Sequence, residues 1–241
     1  MRRIIIADST LRGLEQNPEL AISRRARLVI AQSLKQLNVD VLEIGYPAAS
    51  VDEYRAVQYI ATYLFDITLS VLARPNKLEI DRAWDVIRAT AKPRLLLFMG
   101  SQATHKSGTT RLSNEEIMLN LGQMTAYAAH LCPDVQVSLE PIELCGFEAM
   151  LRFAHIAIDA GAKVINIPDT YGYVQPSEFR HLLIRLSNEL MDKLKNNCAV
   201  LSVQCHNDLG NALANTLSAL RVGVMQVECS IAGFGSAAGL L

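Results

Sequence analysis

The stretch VLSVQCHNDLGNALANTLSAL, residues 200–220, carries the pattern that decides the fold. It opens as a short apolar, β-branched run (Val200, Leu201, Val203) and passes through Gln204-Cys205-His206. It then enters a segment with Leu209, Ala212, Leu213, Leu217 and Leu220 at helical spacing. Asn207 and Asp208 stand where caps of that helix are expected, because their side chains can accept from its first free N–H groups. A buried strand feeding directly into an amphipathic helix is the unit from which α/β domains are built. Polar side chains at the carboxyl end of such a strand sit where these folds keep their chemistry, and His206 occupies that place. Two residues earlier, a second histidine would suggest a metal site; the chain has Gln204.

The same unit recurs along the chain. Strands are expected at 3–7, 41–45, 67–72, 94–99, 135–139, 164–167, 199–203 and 226–231. Helix-patterned stretches fall near 20–37, 51–64, 77–91, 113–131, 146–160, 176–195 and 209–221. The strands are rich in Val, Ile and Leu with little alternation, as expected when both faces are covered. Helix starts are marked, as in LSNEE, where Ser113 or Asn114 can cap and Glu115 and Glu116 suit the positive end of the helix dipole. Eight strand–helix units of about 30 residues predict an α/β fold, a (β/α)8 TIM barrel. An open doubly wound sheet would show the same alternation, but no glycine-rich dinucleotide fingerprint is present. With no linker or composition break, residues 1–241 read as a single domain. The helix that would cover the eighth strand is missing from the pattern. An uncovered strand exposes apolar surface, which suggests a partner subunit, a homo-oligomer or a shortened chain.

Composition narrows the classes. Half of the 241 residues are hydrophobic and the formal charge is −1, so neither nucleic acid nor an anionic membrane is favoured as a partner. Four apolar residues precede Asp8, too few for a signal-peptide core, and no run approaches the ~18 residues of a membrane span. The five cysteines (132, 145, 198, 205 and 229) form no CxxC pair, a pattern that suits reduced thiols. A cytoplasmic, soluble protein is expected.

In a barrel the carboxyl ends of the strands converge on one mouth. Those ends carry Asp8 and Arg12, Glu43, Arg74, His105 in the fourth loop, Ser138 and Glu140, Asp169 and Thr170, His206, and Glu228. Carboxylates, arginines, histidines and hydroxyls around one rim can bind an anion and move protons. Each also has a structural reading: Asp169 and Asp208 as helix caps, Glu43 or Glu228 as the partner of an interior arginine. His130, His155 and His181 lie in helical patterns and read as surface or packing residues, as do Trp84 and the helical methionines. The loop GSQATHKSG, 100–108, can cover a substrate or simply be solvated. No lysine stands at a strand end for a Schiff base, since Lys163 opens strand six at its amino end.

Several segments, in order, resemble the 2-isopropylmalate synthase and homocitrate synthase family, to which the hydroxymethylglutaryl-CoA lyases are related. ADSTLRGLEQNPEL resembles the family opening D-T-T-L-R-D-G-E-Q, and VDVLEIGYPAAS its second strand. GAKVINIPDTYGYVQPSEF matches the sixth strand and loop, while HNDLGNALANTLSAL and VECSIAGFGSAAG match the last two units. The resemblance implies a barrel acyltransferase that condenses acetyl-CoA with a 2-oxo acid. In that family a divalent metal (Mg or Mn) chelates the 2-oxo acid, an arginine stabilises the enolate and a base deprotonates the acetyl methyl group. It implies that Arg12, Glu140 and His206 serve catalysis and that Gln16 and Thr170 bind substrate; the strand-end reading adds His105 and Ser138 as expected substrate contacts.

The departures fall on the metal. The family aspartate after the arginine is Gly13, followed by Leu14, and the H-x-H pair is Gln204-Cys205-His206. The closing G-E-R-A-G-N reads Gly235-Ser236-Ala237-Ala238-Gly239-Leu240, and the acidic residue after Glu140 is Pro141. Of the family ligands only His206 is retained. A single imidazole holds a hard divalent ion weakly, so metal binding is expected to be weak or absent, with Asp8 or Glu140 as substitutes. An alternative reading is an inactive relative that serves as a binding or partner subunit. The family's C-terminal regulatory domain has no counterpart in these residues.

Overall fold

The computed structural model describes residues 3–15, 22–100, 113–140, 146–196 and 199–234. Its eight strands are β1 (Ile5–Asp8), β2 (Val41–Glu43), β3 (Thr68–Ala73), β4 (Pro93–Gly100), β5 (Val135–Glu140), β6 (Val164–Asp169), β7 (Val200–Cys205) and β8 (Gln226–Cys229). All neighbours run parallel, and β1 pairs with both β2 and β8, so the sheet closes into a barrel. An open sheet would leave two free edges; here Ile5 pairs with Gln226 and Asp8 with Cys229. The fold is the (β/α)8 barrel.

The helices are α1 (Thr10–Glu15), α2 (Arg24–Gln36), α3 (Val51–Tyr63), α4 (Lys77–Ile87), α5 (Asn114–Leu131), α6 (Gly146–Asp159), α7 (Pro176–Glu189), α8 (Met191–Asn196) and α9 (Ala212–Arg221). Side-chain caps start several of them. Ser50 accepts from the N–H of Glu53, Asn76 from that of Glu79, and Ser113 forms a reciprocal capping box with Glu116. The single helix expected at 176–195 divides at Leu190, whose backbone leaves helical geometry (φ −96°, ψ 0°) while its side chain is fully buried.

The core has two zones. Outward-facing strand residues such as Leu69, Val71, Leu97, Val137, Ile165 and Val203 pack against helix residues including Val57, Ile60, Ile80, Phe153, Phe179 and Leu183. The barrel interior is polar. Gln136 and Ser138 on β5, Ser202 and Gln204 on β7, and Gln226 and Glu228 on β8 alternate with the apolar residues and point the other way. This period-two pattern departs from the uniform apolar reading of the strands. The apolar half packs on the helices, and the polar half meets itself across the barrel.

Helix α9 also differs from expectation. Its buried residues are Ala212, Asn215, Thr216 and Ala219, whereas Leu213 and Leu217 are exposed, as is Leu209 before it. It starts after Asn211, later than the caps proposed at Asn207 and Asp208, although Asn207 Oδ1 still accepts from the N–H of Ala212 (3.2 Å). Beyond β8, the described residues hold only a single 3-10 turn, Ile231–Gly233. Even so, the outward-facing Val227 of β8 is buried.

Candidate active site

The site rests on a buried polar network rising from the bottom of the barrel. Arg94, at the start of β4, pairs with Asp134 (2.9 Å) and donates to Gln226 Oε1 (2.7 Å) and Gln136 Oε1 (3.3 Å). Gln226 in turn donates to Gln136 Oε1 and Ser202 Oγ, and Gln136 donates to Glu228. The network commits the side chains it touches to one geometry, because a half-satisfied buried network is costly.

Above it, Asp8, Glu43 and Glu228 line one small cavity with Ser70 and Gln136. Asp8 accepts from the backbone N–H (3.0 Å) and the hydroxyl (3.1 Å) of Thr10, and that hydroxyl also accepts from the N–H of Ile231 (2.8 Å). The first turn of α1 is thereby tied to both β1 and the segment after β8. Burial pushes the Asp8 carboxyl above its usual range, and the neighbouring Glu43 adds to the effect. Burial also pushes Glu43 up, against the opposing influence of Arg12. Cys229 is driven up to about 11 by burial first, then by Asp8 and Glu228, which keeps it a thiol.

Arg12 lies on α1 with its Nε 2.6 Å from Glu43 Oε1. His206 follows β7 directly and is buried. Its Nδ1 lies 2.5 Å from the carbonyl oxygen of Thr170, and its backbone N–H donates to the carbonyl of Asp169 (3.2 Å). A carbonyl only accepts, so Nδ1 carries a proton, and in the tautomer this selects Nε2 is the nitrogen with the lone pair. Gly172 (φ +67°) lets the β6 loop approach this seam, since a Cβ there would fall 2.6 Å from Asp208 Oδ2.

The structure thus brings Arg12, Thr170 and His206 to the carboxyl ends of β1, β6 and β7. Ser138 sits deeper, buried and accepting from Asn166 Nδ2 (3.1 Å). Glu140 ends β5 opposite Gly100 in register, and only its backbone is described. Gln16, His105, Pro141 and Leu240 lie outside the described residues. Arg74 is exposed on the rim over the ring of Tyr46. Asp169 caps no helix; it is fully buried and accepts from Asn215 Nδ2 (3.0 Å) on α9. His130 and His181 are exposed on helices and His155 is half-buried. Sequence reading missed Asn166, Gln136, Gln226 and Asn215. The first three could have been found from period-two polar positions within VQVS, VINI and QVEC.

The donor set is a poor match for a hard divalent ion. Gly13 offers no side-chain donor, and Gln204 offers a neutral amide where an imidazole is expected. Among the described residues no three His, Cys, Asp or Glu side chains are grouped so as to hold an ion. Asp8 is occupied by Thr10, and Glu43 by Arg12. The described residues do not fit a tightly held divalent metal.

Comparisons with known proteins agree with this architecture. Among solved structures, the hydroxymethylglutaryl-CoA lyase from Pseudomonas aeruginosa superposes with a TM-score of 0.81 at 17% identity, covering 100% of this chain and 82% of that one. The HMG-CoA lyase from Brucella melitensis gives 0.76 at 16% identity, covering 100% and 87%. By sequence, the chain is 38% identical to the 2-isopropylmalate synthase of Clostridium kluyveri and 40% identical to that of a Geobacillus strain, over 99% of its own length and 46% of theirs. It is 38% identical to the 2-isopropylmalate synthase of Pyrococcus abyssi, over 99% of its length and 49% of that protein. The chain spans about half the length of the curated relatives it matches. The HMGL-like family model matches residues 3–241, and the chain belongs to that family.

Proposed function

We propose that this barrel is the catalytic unit of a 2-isopropylmalate synthase-type acyltransferase, joining the acetyl group of acetyl-CoA to the keto carbon of a 2-oxo acid. The observation that carries the reading is the meeting of Arg12, Thr170 and His206 at one barrel mouth, in a chain 36–40% identical to synthases of that name. In this reading a base removes a proton from the acetyl methyl group, and the Arg12 guanidinium balances the charge on the enolate oxygen. The enolate carbon attacks the keto carbon, the resulting alkoxide takes a proton, and water cleaves the thioester to release CoA. Glu140 and His206 are the proposed proton carriers; the Nε2 lone pair of His206 suits that role. Gln16, His105, Ser138 and Thr170 are the proposed substrate contacts. The pairing of Arg12 with Glu43 holds the guanidinium in place before substrate arrives.

The cytoplasm is the proposed compartment. Cys132, Cys205 and Cys229 are free thiols, and no described helix is long and apolar enough to cross a membrane. An assembled form, as a homo-oligomer or with a partner subunit, belongs to the same proposal, and the leucines exposed on α9 support it. The test is release of free CoA thiol from acetyl-CoA across a panel of 2-oxo acids. Acceptor-dependent release is expected. No release with any acceptor at high enzyme concentration would favour instead an inactive, ligand-binding subunit.

A further inference from the structure

One buried polar group near the proposed site has no role in the mechanism above. The Nε2 of Gln204 is shielded from solvent and has no hydrogen-bond partner among the described residues, in a residue only 2% exposed. The hydroxyl Oγ1 of Thr170 is likewise buried and unpartnered. The two belong to one seam. Gln204 pairs in register with Pro168 on β6, two residues before Thr170, and lies two residues before His206, whose ring is tied to the Thr170 carbonyl. Strand alternation puts Ser202, Gln204 and His206 on the interior face, and Ser202 proves that orientation by accepting from Gln226 inside the barrel. Buried donors are almost always satisfied, so an unpaired amide and an unpaired hydroxyl along one β6–β7 seam mark a place for something that accepts.

We propose that Gln204 is a substrate-binding residue, its carboxamide N–H donating, with the Thr170 hydroxyl, to a carboxylate or keto oxygen of a 2-oxo acid. This half of the mouth then holds an oxyanion with neutral donors in place of a divalent cation, which the donor set does not fit. The inference rests on the 2-oxo acid reading of the site but not on the condensation step. A neutral donor pair binds an anion only in a water-poor pocket, and Gln204 and His206 are both buried.

The test is calorimetric titration of the full chain with pyruvate and 2-oxobutyrate after dialysis against EDTA, repeated with added Mg²⁺ or Mn²⁺. Binding in EDTA that the metals leave unchanged is expected. Gln204→Leu should weaken it about tenfold or more, the cost of leaving a carboxylate unpaired. Gln204→Glu, nearly the same shape, should weaken it further by repulsion. Circular dichroism and thermal melting establish that each variant is folded. Binding seen only with a metal, no binding of either acid, or wild-type affinity in both variants would overturn the proposal. Loss of acetyl-CoA condensation with pyruvate binding intact would defeat the synthase reading and leave this one standing.

Discussion

Arg12 and Glu15 occupy the same short helix, and their surroundings set opposite tests. Arg12 faces Glu43 across 2.6 Å, both largely buried, so Arg12→Lys keeps the charge and loses the planar fork. CoA release should fall about a hundredfold while the melting temperature changes little, measured by thiol assay and calorimetry on the same sample. Glu15 lies against Glu53, whose other oxygen is held by Arg27 at 2.6 Å. Burial first, then the Glu53 charge, pushes the Glu15 carboxyl from 4.5 up to about 8. Below pH 4.5 the folded and unfolded chains both hold that proton, so Glu15 makes stability no different there. Between 4.5 and 8 only the folded chain keeps it, and stability falls as pH rises through that window. Urea unfolding of Glu15→Gln should therefore match wild type below pH 4.5 and exceed it at pH 8. Equal stabilities at pH 8 would contradict this environment for Glu15.

Helix α9 shows what a helical repeat does and does not reveal. The leucines at 213 and 217 announce a helix, and a helix is there, but its buried stripe is Ala212, Asn215, Thr216 and Ala219. Small residues allow α9 to sit close on β7, and Asn215 reaches the Asp169 carboxylate and the carbonyl of Val174. Leu213→Ser should change the stability of the single chain by no more than about 0.5 kcal/mol, as for other exposed substitutions, and should weaken any assembly through α9. Asn215→Ala should cost about 1–3 kcal/mol, because it leaves buried Asp169 short of a partner; chemical denaturation measures both. The eight strands and the helix between each pair were legible because hydrophobic runs and capping residues such as Ser113 are local signals. Which face of α9 is buried was not, since that depends on a polar contact with a residue 46 positions away. The same holds for the interior of the barrel. Gln136, Ser202 and Gln226 each look unremarkable within a strand, and only closure brings them to Arg94 and to one another. Arg12, Thr170 and His206 were legible as strand-end residues because motif order places them there. Their fine geometry, such as the bond from His206 to the Thr170 carbonyl, arises only from the pairing of β6 with β7.

At the scale of the molecule, the barrel couples a structural floor to the mouth proposed to carry the chemistry. Arg94 anchors the floor through Asp134, Gln136 and Gln226, and Gln136 passes the network on to Glu228 beneath the mouth. Replacing Arg94 with Met should destabilise the fold by about 3 kcal/mol, because the buried amide oxygens lose their shared donor. Activity per folded molecule should survive better than in Arg12→Lys, which separates scaffold from chemistry. The central claim is that this mouth makes a carbon–carbon bond between an acetyl methyl carbon and a keto carbon. The direct measurement is carbon-13 NMR of a reaction of the full chain with methyl-labelled acetyl-CoA and a 2-oxo acid. The account predicts that the labelled methyl becomes a methylene attached to a carbon bearing hydroxyl and carboxylate, as CoA is released. Label that stays in the thioester, or appears only in free acetate, would contradict it.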